Sequence, residues 1–547
     1  MPRSALSRAL IRAVRRIKAA RKRGVTVDAL AELAVRKPKQ VNELSRRRFL
    51  TGMTAGAAGF ALASRASAYT QSAVTLPRIA IVGAGISGLN CALALADRGI
   101  SSTLYEASNR VGGRMFSENS GYWTDNQVSE NGGEEIDAEH TTIIALVQRF
   151  GLTLDTLIAA SAAGETDTYY INGNYYKLSD AIADLNDAFS AIDDAYTAVG
   201  ATTTYKASTP AGRRIDNVST FNWVQANVPG GVKSRLGQLL ILNAIDEYGA
   251  DATDQSALNL IYDFGGGGGS EEDGFSGGEY HIQGGNDLLP KAIASYLTEL
   301  NIPIRTGMAM TKIAQNSSGA YQLTFESGGT TSEVDADLVV LTLPFAVLRT
   351  LDYRNAGFDA LKNTAIKQLG AARNGKLHLQ FTHRLWNDAG PWGIGDGLSY
   401  SSAYLFTRDV TRAQAGESGI LLNYTGGKRY TANLRSTVPL ARIENPGVQL
   451  DAKNFLNGVA PIFPRLPALW NGKATQSLPH LSPFFKCSYA YRRVGQYHKI
   501  TGYEGVRQKN IFFAGEHTSY DFQGFMEGGA AEGARAAGEI LSQLGLA

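Results

Sequence analysis

Apolar positions along the chain follow two rhythms, and the places where one gives way to the other mark the predicted elements. Apolar or β-branched runs at Ile79–Val82, residues 102–105, residues 339–348 around Pro344 and residues 511–514 predict short buried strands. Helical spacing at residues 89–95 predicts a helix directly behind the first strand. Residues 152–264, rich in Ala, Leu and Asp, keep a helical period and predict a largely helical section. Strict alternation at residues 376–381 (KLHLQF) predicts a strand of an antiparallel sheet. Residues 280–292 read as strand, glycine turn and helix, and residues 525–537 as a helix of small side chains. Residues 265–278 are a glycine-rich loop of low complexity, and no segment repeats another.

The turn between the first strand and its helix is chemically specific. Gly83-Ala84-Gly85-Ile86-Ser87-Gly88 has the form G-x-G-x-x-G. Gly83 permits the tight turn, Gly85 lets backbone approach a pyrophosphate, and Gly88 lets helix pack on strand. Ile86 and Ser87 lie in the turn ahead of the helix, whose N-terminal unpaired N–H groups and dipole favour phosphate. Glu106, eighteen residues past Gly88 at the end of the second strand, is placed to accept hydrogen bonds from an adenosine ribose. Arg110-Val111-Gly112-Gly113-Arg114 then sets two cations around a glycine pair, so that backbone and guanidinium can both sit near a diphosphate. The stretch resembles the signature of FAD-containing amine oxidases, the superfamily of monoamine, polyamine and L-amino-acid oxidases.

Further segments extend that resemblance over most of residues 78–547. Residues 511–537 (IFFAGEHTSYDFQGFMEGGAAEGARAA) resemble the family's C-terminal FAD segment. There the resemblance implies that Gly515 and Glu516 turn beside the ribityl or pyrophosphate region. Phe525 and Met526 open a helix whose N-terminus faces the flavin's pyrimidine carbonyl. Residues 129–140 (SENGGEEIDAEH), 280–292 (YHIQGGNDLLPKA) and 339–348 (VVLTLPFAVL) resemble the family's segment below the flavin, its inner turn and its strand ahead of the substrate. The implied fold is α/β (α+β): a discontinuous Rossmann-like FAD-binding domain over residues 69–151, 284–343 and 482–547. A mixed sheet-plus-helical substrate domain is inserted at 152–283 and 344–481.

The implied activity is FAD-dependent oxidation of a primary or secondary amine to an imine, with molecular oxygen as acceptor and hydrogen peroxide as product. By resemblance Tyr489 and Phe525 are the two aromatic rings before the flavin; the plainer reading makes them core aromatics. Where the family often has a lysine after the L-P strand, the nearest cation is Arg349, which either holds water for oxygen chemistry or forms a salt bridge. Many L-amino-acid oxidases carry an arginine after the glycine pair; here Gly132-Gly133 is followed by Glu134-Glu135. These carboxylates suit a cationic amine better than an amino acid, and they also fit acids that support the cofactor. The catalytic candidates are therefore Tyr489, Phe525, Arg349 and Glu135, with Gly133 and Glu134 on the cofactor side. L-amino-acid oxidation is the alternative, followed by a flavin desaturase or isomerase and by a non-catalytic FAD-binding protein. Non-covalent FAD is expected, although Cys487 lies one residue before the position at which monoamine oxidases attach it.

Charge changes the picture at one end. Residues 1–68 carry 16 Lys/Arg against 3 Asp/Glu, whereas the remainder carries 37 against 47. Ser45-Arg46-Arg47-Arg48-Phe49-Leu50 matches a twin-arginine export pattern. A Gly/Ala-rich apolar run at 51–63 follows, with an A-x-A cleavage site at residues 66–68. Export by that machinery to the periplasm or medium is expected, with a mature start at Tyr69. Residues 4–23 are a candidate basic amphipathic helix. No aromatic interleaving supports nucleic-acid binding. The two cysteines, Cys91 and Cys487, lack zinc spacing, so no metal is expected. The sequence leaves homo-oligomerisation open.

Overall fold

A computed structural model describes Val14, Ile17, Lys18 and residues 76–160, 167–265, 280–395 and 397–546. The export motif, apolar run and cleavage site, most of residues 4–23, and residues 266–279 of the glycine-rich loop lie outside the described residues. The chain separates into two units, residues 15–76 and the rest, and the second carries everything that follows.

The apolar runs form one parallel sheet. Ile511–Phe513, Leu338–Leu341, Ile79–Val82, Thr103–Tyr105 and Ile304–Arg305 lie side by side in that order. Ile79–Val82, at its centre, is buried at every position, as expected of a strand covered on both faces. Strands far apart in sequence therefore meet, because the sheet is completed only when residues 511–513 pair with 338–341. On one face the helices Ile86–Ala96 and Met526–Gln543 pack together. Their approach depends on glycine: a Cβ on Gly533 would stand 2.2 Å from the carbonyl oxygen of Ser87. The Asn90 amide then donates to the carbonyl of Ala530 across the contact, at 2.8 Å.

The second sheet is eight-stranded and mostly antiparallel. From edge to edge it runs Leu440–Arg442, Trp470–Ser477, Asn374–Phe381, Gly419–Gly426, Leu405–Asp409, Ser399–Ser401, Thr168–Ile171 and Asn174–Tyr176. The alternating segment KLHLQF is part of the central Asn374–Phe381 strand. Its odd-numbered residues Leu377, Leu379 and Phe381 join Leu421 in an apolar core under the helix Pro446–Val459. The even-numbered residues point the other way, which leaves a face free for chemistry. Residues 152–264 do supply helices, including Leu178–Val199 and Arg235–Tyr248. They also supply the tyrosine-rich hairpin Thr168–Tyr176, which joins this sheet and which helical periodicity concealed.

Candidate active site

A cavity of about 490 Å³ lies between the glycine loop, the C-terminal helix and the even-numbered face of the eight-stranded sheet. Gly83, Gly85, Ile86 and Ser87 form one wall. Gly83 holds φ +106, and a side chain there would meet Thr342 Oγ1 at 2.3 Å. Gly85 and Gly113 face each other closely enough that a Cβ on Gly113 would stand 3.2 Å from the Gly85 Cα. Gly88 is set back from the cavity; a Cβ there would lie 2.0 Å from the Gly83 carbonyl, so its role is packing beneath the loop.

Two helix N-termini open on the same space, through Gly85, Ile86 and Ser87 and through Phe525 and Met526. Neither has a side-chain cap. The first-turn acid Glu527 is occupied elsewhere, accepting from the backbone N–H groups of Thr142 and Ile143 at 3.0 and 2.8 Å. Orphan N–H donors and two positive dipole ends therefore converge. Ser87 Oγ, buried on this wall, has no hydrogen-bond partner. Glu106 takes hydrogen bonds from Ala84 N at 2.8 Å and from Ser108 N and Oγ at 2.9 and 2.7 Å, and also lines the cavity. Uncapped donors, an unpartnered hydroxyl and side-chain-free backbone fit a dinucleotide whose diphosphate carries negative charge.

The other predicted residues divide. Arg114, Gly133, Glu134, Glu135, Tyr489, Gly515, Glu516, Phe525 and Met526 reach the cavity wall. Arg114 donates to Glu516 Oε1 at 2.8 Å and to the Ser488 carbonyl at 2.9 Å. Arg110 is off the wall: it braces the glycine pair by donating to the carbonyls of Val111 and Gly113, and lies over the Phe116 ring at 4.1 Å. Arg349 is off the wall too. Its guanidinium donates to the carbonyls of Phe345 and Leu369 at 3.0 and 2.8 Å, and burial lowers its pKa. Of the two readings of Arg349, water-holding or salt bridge, the described contacts show instead two backbone carbonyls, and the short helix Phe345–Leu348 carries the side chain toward that of Leu369. Cys487 is also set back, and burial pushes its thiol up to about 11; Ser488 takes the place on the wall.

Sequence reasoning left the sheet wall unassigned. Even-numbered positions on three adjacent strands put Asn374 and Lys376, Leu422 and Tyr424, and Phe406 and Arg408 on the cavity. Lys376 Nζ donates to Glu134 Oε2 at 2.6 Å and to the carbonyls of Glu130 and Gly132 at 3.0 and 2.8 Å. Arg408 spans both glutamates, 3.1 Å from Glu134 and 2.6 Å from Glu135. Burial would raise the Glu134 pKa, but Arg408 and Lys376 outweigh it and hold the carboxyl at about 2. Burial likewise works against the charge on Arg408, and Glu134 and Glu135 raise its pKa above the ordinary value. Glu134 is thus held ionised, and Arg408 is matched to both glutamates. The period-two pattern could have shown the shared face, but not which loop it would meet.

Tyr489 donates to the carbonyls of Asp246 and Glu247, and its hydroxyl lies 3.4 Å from that of Tyr424. Phe525 packs edge-on against His140, with ring centroids 5.1 Å apart. Both rings line the cavity.

A sequence profile for flavin containing amine oxidoreductases matches residues 86–541. The chain belongs to that family. The oxidase is 23% identical over 498 residues to an L-amino-acid oxidase of Siganus canaliculatus, with 86% of each chain covered. It is 25% identical over 532 residues to the nicotine dehydrogenase of Pseudomonas putida, with 93% of this chain and 99% of that one covered. Among solved structures, cyclohexylamine oxidase from Brevibacterium oxydans matches with TM-score 0.70 and 20% identity, covering 86% of this chain and 100% of the other. Wild-type putrescine oxidase bound to putrescine matches with TM-score 0.66 at 18% identity, covering 85% and 99%. These two carry the fold. The family match makes the protein an FAD-dependent oxidoreductase acting on amines.

Proposed function

We propose that the oxidase takes an amine without an α-carboxylate, converts its C–N bond to an imine and passes the electrons to molecular oxygen. One observation carries the substrate preference: among the described residues, each cation on the cavity wall already has a carboxylate. Arg114 is held by Glu516, Lys376 by Glu134, and Arg408 by Glu134 and Glu135. Six acidic residues line the wall against three basic ones. A substrate carboxylate would enter an acidic cavity, beside a bound diphosphate, with no cation free to receive it.

FAD supplies the two-electron redox chemistry when bound. Ser87, Gly85 and Gly113 would hold its diphosphate, Glu106 its adenosine ribose, and the N-terminus at Met526 its ring. The chain's own groups prepare the amine. Phe406, Leu422 and Tyr424 make an apolar bed on which the amine's carbon skeleton can lie. Tyr489 and Phe525 restrict how it lies.

The test is anaerobic flavin absorbance against amines and L-amino acids. Bleaching by amines alone is expected, and bleaching by L-amino acids alone would overturn the preference. Glu135→Gln, which frees one side of Arg408, should let L-amino acids bleach the flavin. We also propose twin-arginine export. The motif at residues 45–50 supports it, and loss of exported protein in Arg46→Lys/Arg47→Lys cells would check it.

A further inference from the structure

A row of aromatic rings crosses the eight-stranded sheet from the cavity to its edge. The strand registers put Tyr424, Phe406, Tyr400, Tyr169 and Tyr176 opposite one another on five successive strands. At the cavity end the Tyr424 hydroxyl is 3.4 Å from that of Tyr489. Ring centroids are 4.8 Å apart between Phe406 and Tyr400, 6.3 Å between Tyr400 and Tyr169, and 6.5 Å between Tyr169 and Tyr176. The Asn174–Tyr176 strand is the sheet's edge.

The hydroxyls are paired in a way that packing does not require. Tyr400 donates to Asp246 Oδ2 at 2.5 Å, Tyr169 to Asp167 Oδ2 at 2.8 Å and Tyr176 to Asp184 Oδ2 at 2.7 Å. All three rings are buried to 1% exposure or less, so phenylalanine would fill nearly the same space without a phenol to desolvate. Asp246 also ties the row to the cavity, since its carbonyl accepts from Tyr489. At the far end the Asp184 side chain is 42% exposed, and Arg235 covers the Tyr176 ring at 4.5 Å.

We propose that this row is a redox relay that conducts an oxidising equivalent from the flavin position to the surface, one electron at a time. The proposal rests on FAD occupying the cavity. A one-electron oxidant formed there, a peroxide-derived radical in aerobic turnover, takes an electron from Tyr489 or Tyr424. Tyr400 refills that vacancy past Phe406 and gives its phenolic proton to Asp246, leaving a neutral phenoxyl radical. Tyr169 and Tyr176 repeat the step with Asp167 and Asp184. Each carboxylate returns its proton when its tyrosine is reduced again. The outermost radical takes one electron from a thiol- or ascorbate-class reductant in solution and regains its proton from Asp184. The proton that the reductant releases to solvent balances the one the reduced oxidant takes up, so one oxidant is reduced for each reductant equivalent consumed. Across two strands spaced about 4.8 Å apart, the step past Phe406 spans about 10 Å.

The experiment uses the FAD-loaded full chain without amine, with the light-excited oxidised flavin as oxidant. Transient absorption and freeze-quenched EPR, repeated on protein labelled with ring-deuterated tyrosine, would follow the radical. A long-lived, deuterium-sensitive tyrosyl signal is expected. Tyr400→Phe should shorten its lifetime by an order of magnitude, because the charge then recombines near the cavity. Asp167→Asn, remote from the cavity, should shorten it less. No tyrosyl signal in fully flavinated protein, or unchanged lifetimes in both variants, would overturn the relay. Flavin content read by absorbance before the flash separates this result from a failure to bind FAD, which would overturn the cofactor reading as well.

Discussion

The cavity has two walls built by opposite means. The wall from the parallel sheet works by leaving side chains out. Gly83, Gly85 and Gly113 clear space, helix N-termini are left uncapped, and Ser87 offers a hydroxyl with no partner. The wall from the antiparallel sheet works by filling: Lys376 and Arg408 meet Glu134 and Glu135 in a charge-matched cluster. An anionic cofactor suits unspent donors, whereas a substrate without a carboxylate suits charges that are already spent. Under the proposed function, the difference supports the first wall as the FAD side and the second as the amine side.

The sharpest way to break this division is at Gly88. Gly88→Val puts a Cβ 2.0 Å from the Gly83 carbonyl, which is backbone and cannot move aside cheaply. We expect loss of nearly all bound flavin, read as the flavin-to-protein absorbance ratio, and a normal ratio would break the assignment of that wall. The second wall should respond in stability first. Lys376→Met strands two carbonyls and leaves Glu134 to Arg408 alone, a change expected to cost about 3 kcal/mol, as for removing one partner of a buried pair. Urea denaturation would measure it.

The same cluster sets an acid limit that sharpens the contrast. The Glu134 carboxyl is held at about 2, below its ordinary value of 4.5. Its contribution is therefore fully present above pH 4.5 and lost as pH falls toward 2. In Lys376→Met the carboxyl should titrate higher, so that the loss begins at higher pH.

Much of the glycine wall of the cavity was legible because its signals are local. The loop Gly83–Gly88 and Glu106 lie within one strand-turn-helix-strand unit, and the spacing that identifies them is also the geometry that uses them. The strand Ile79–Val82 appears as expected, and the helix behind it only begins earlier, at Ile86. Arg110 and Arg349 show where local reading stops. Each stands beside a segment that lines the cavity, but a long side chain leaves its backbone in a direction set by nearby acceptors, here the carbonyls of Gly113 and Leu369. The sheet wall was hidden for a related reason. Lys376 and Arg408 are single cations in alternating strands, and nothing near them in sequence indicates that residues 132–135 lie opposite.

The sequence by itself determined the family, the cofactor and the glycine loop with its strand and helix, since these depend on backbone freedom and spacing inside short segments. Only the tertiary structure decided which charges face the cavity opposite the glycine loop. Those charges come from residues 134–135, 376 and 408, which strand register and sheet packing bring together. A carboxylate's charge is set by the partners folding places beside it, and neither pair is adjacent in the chain.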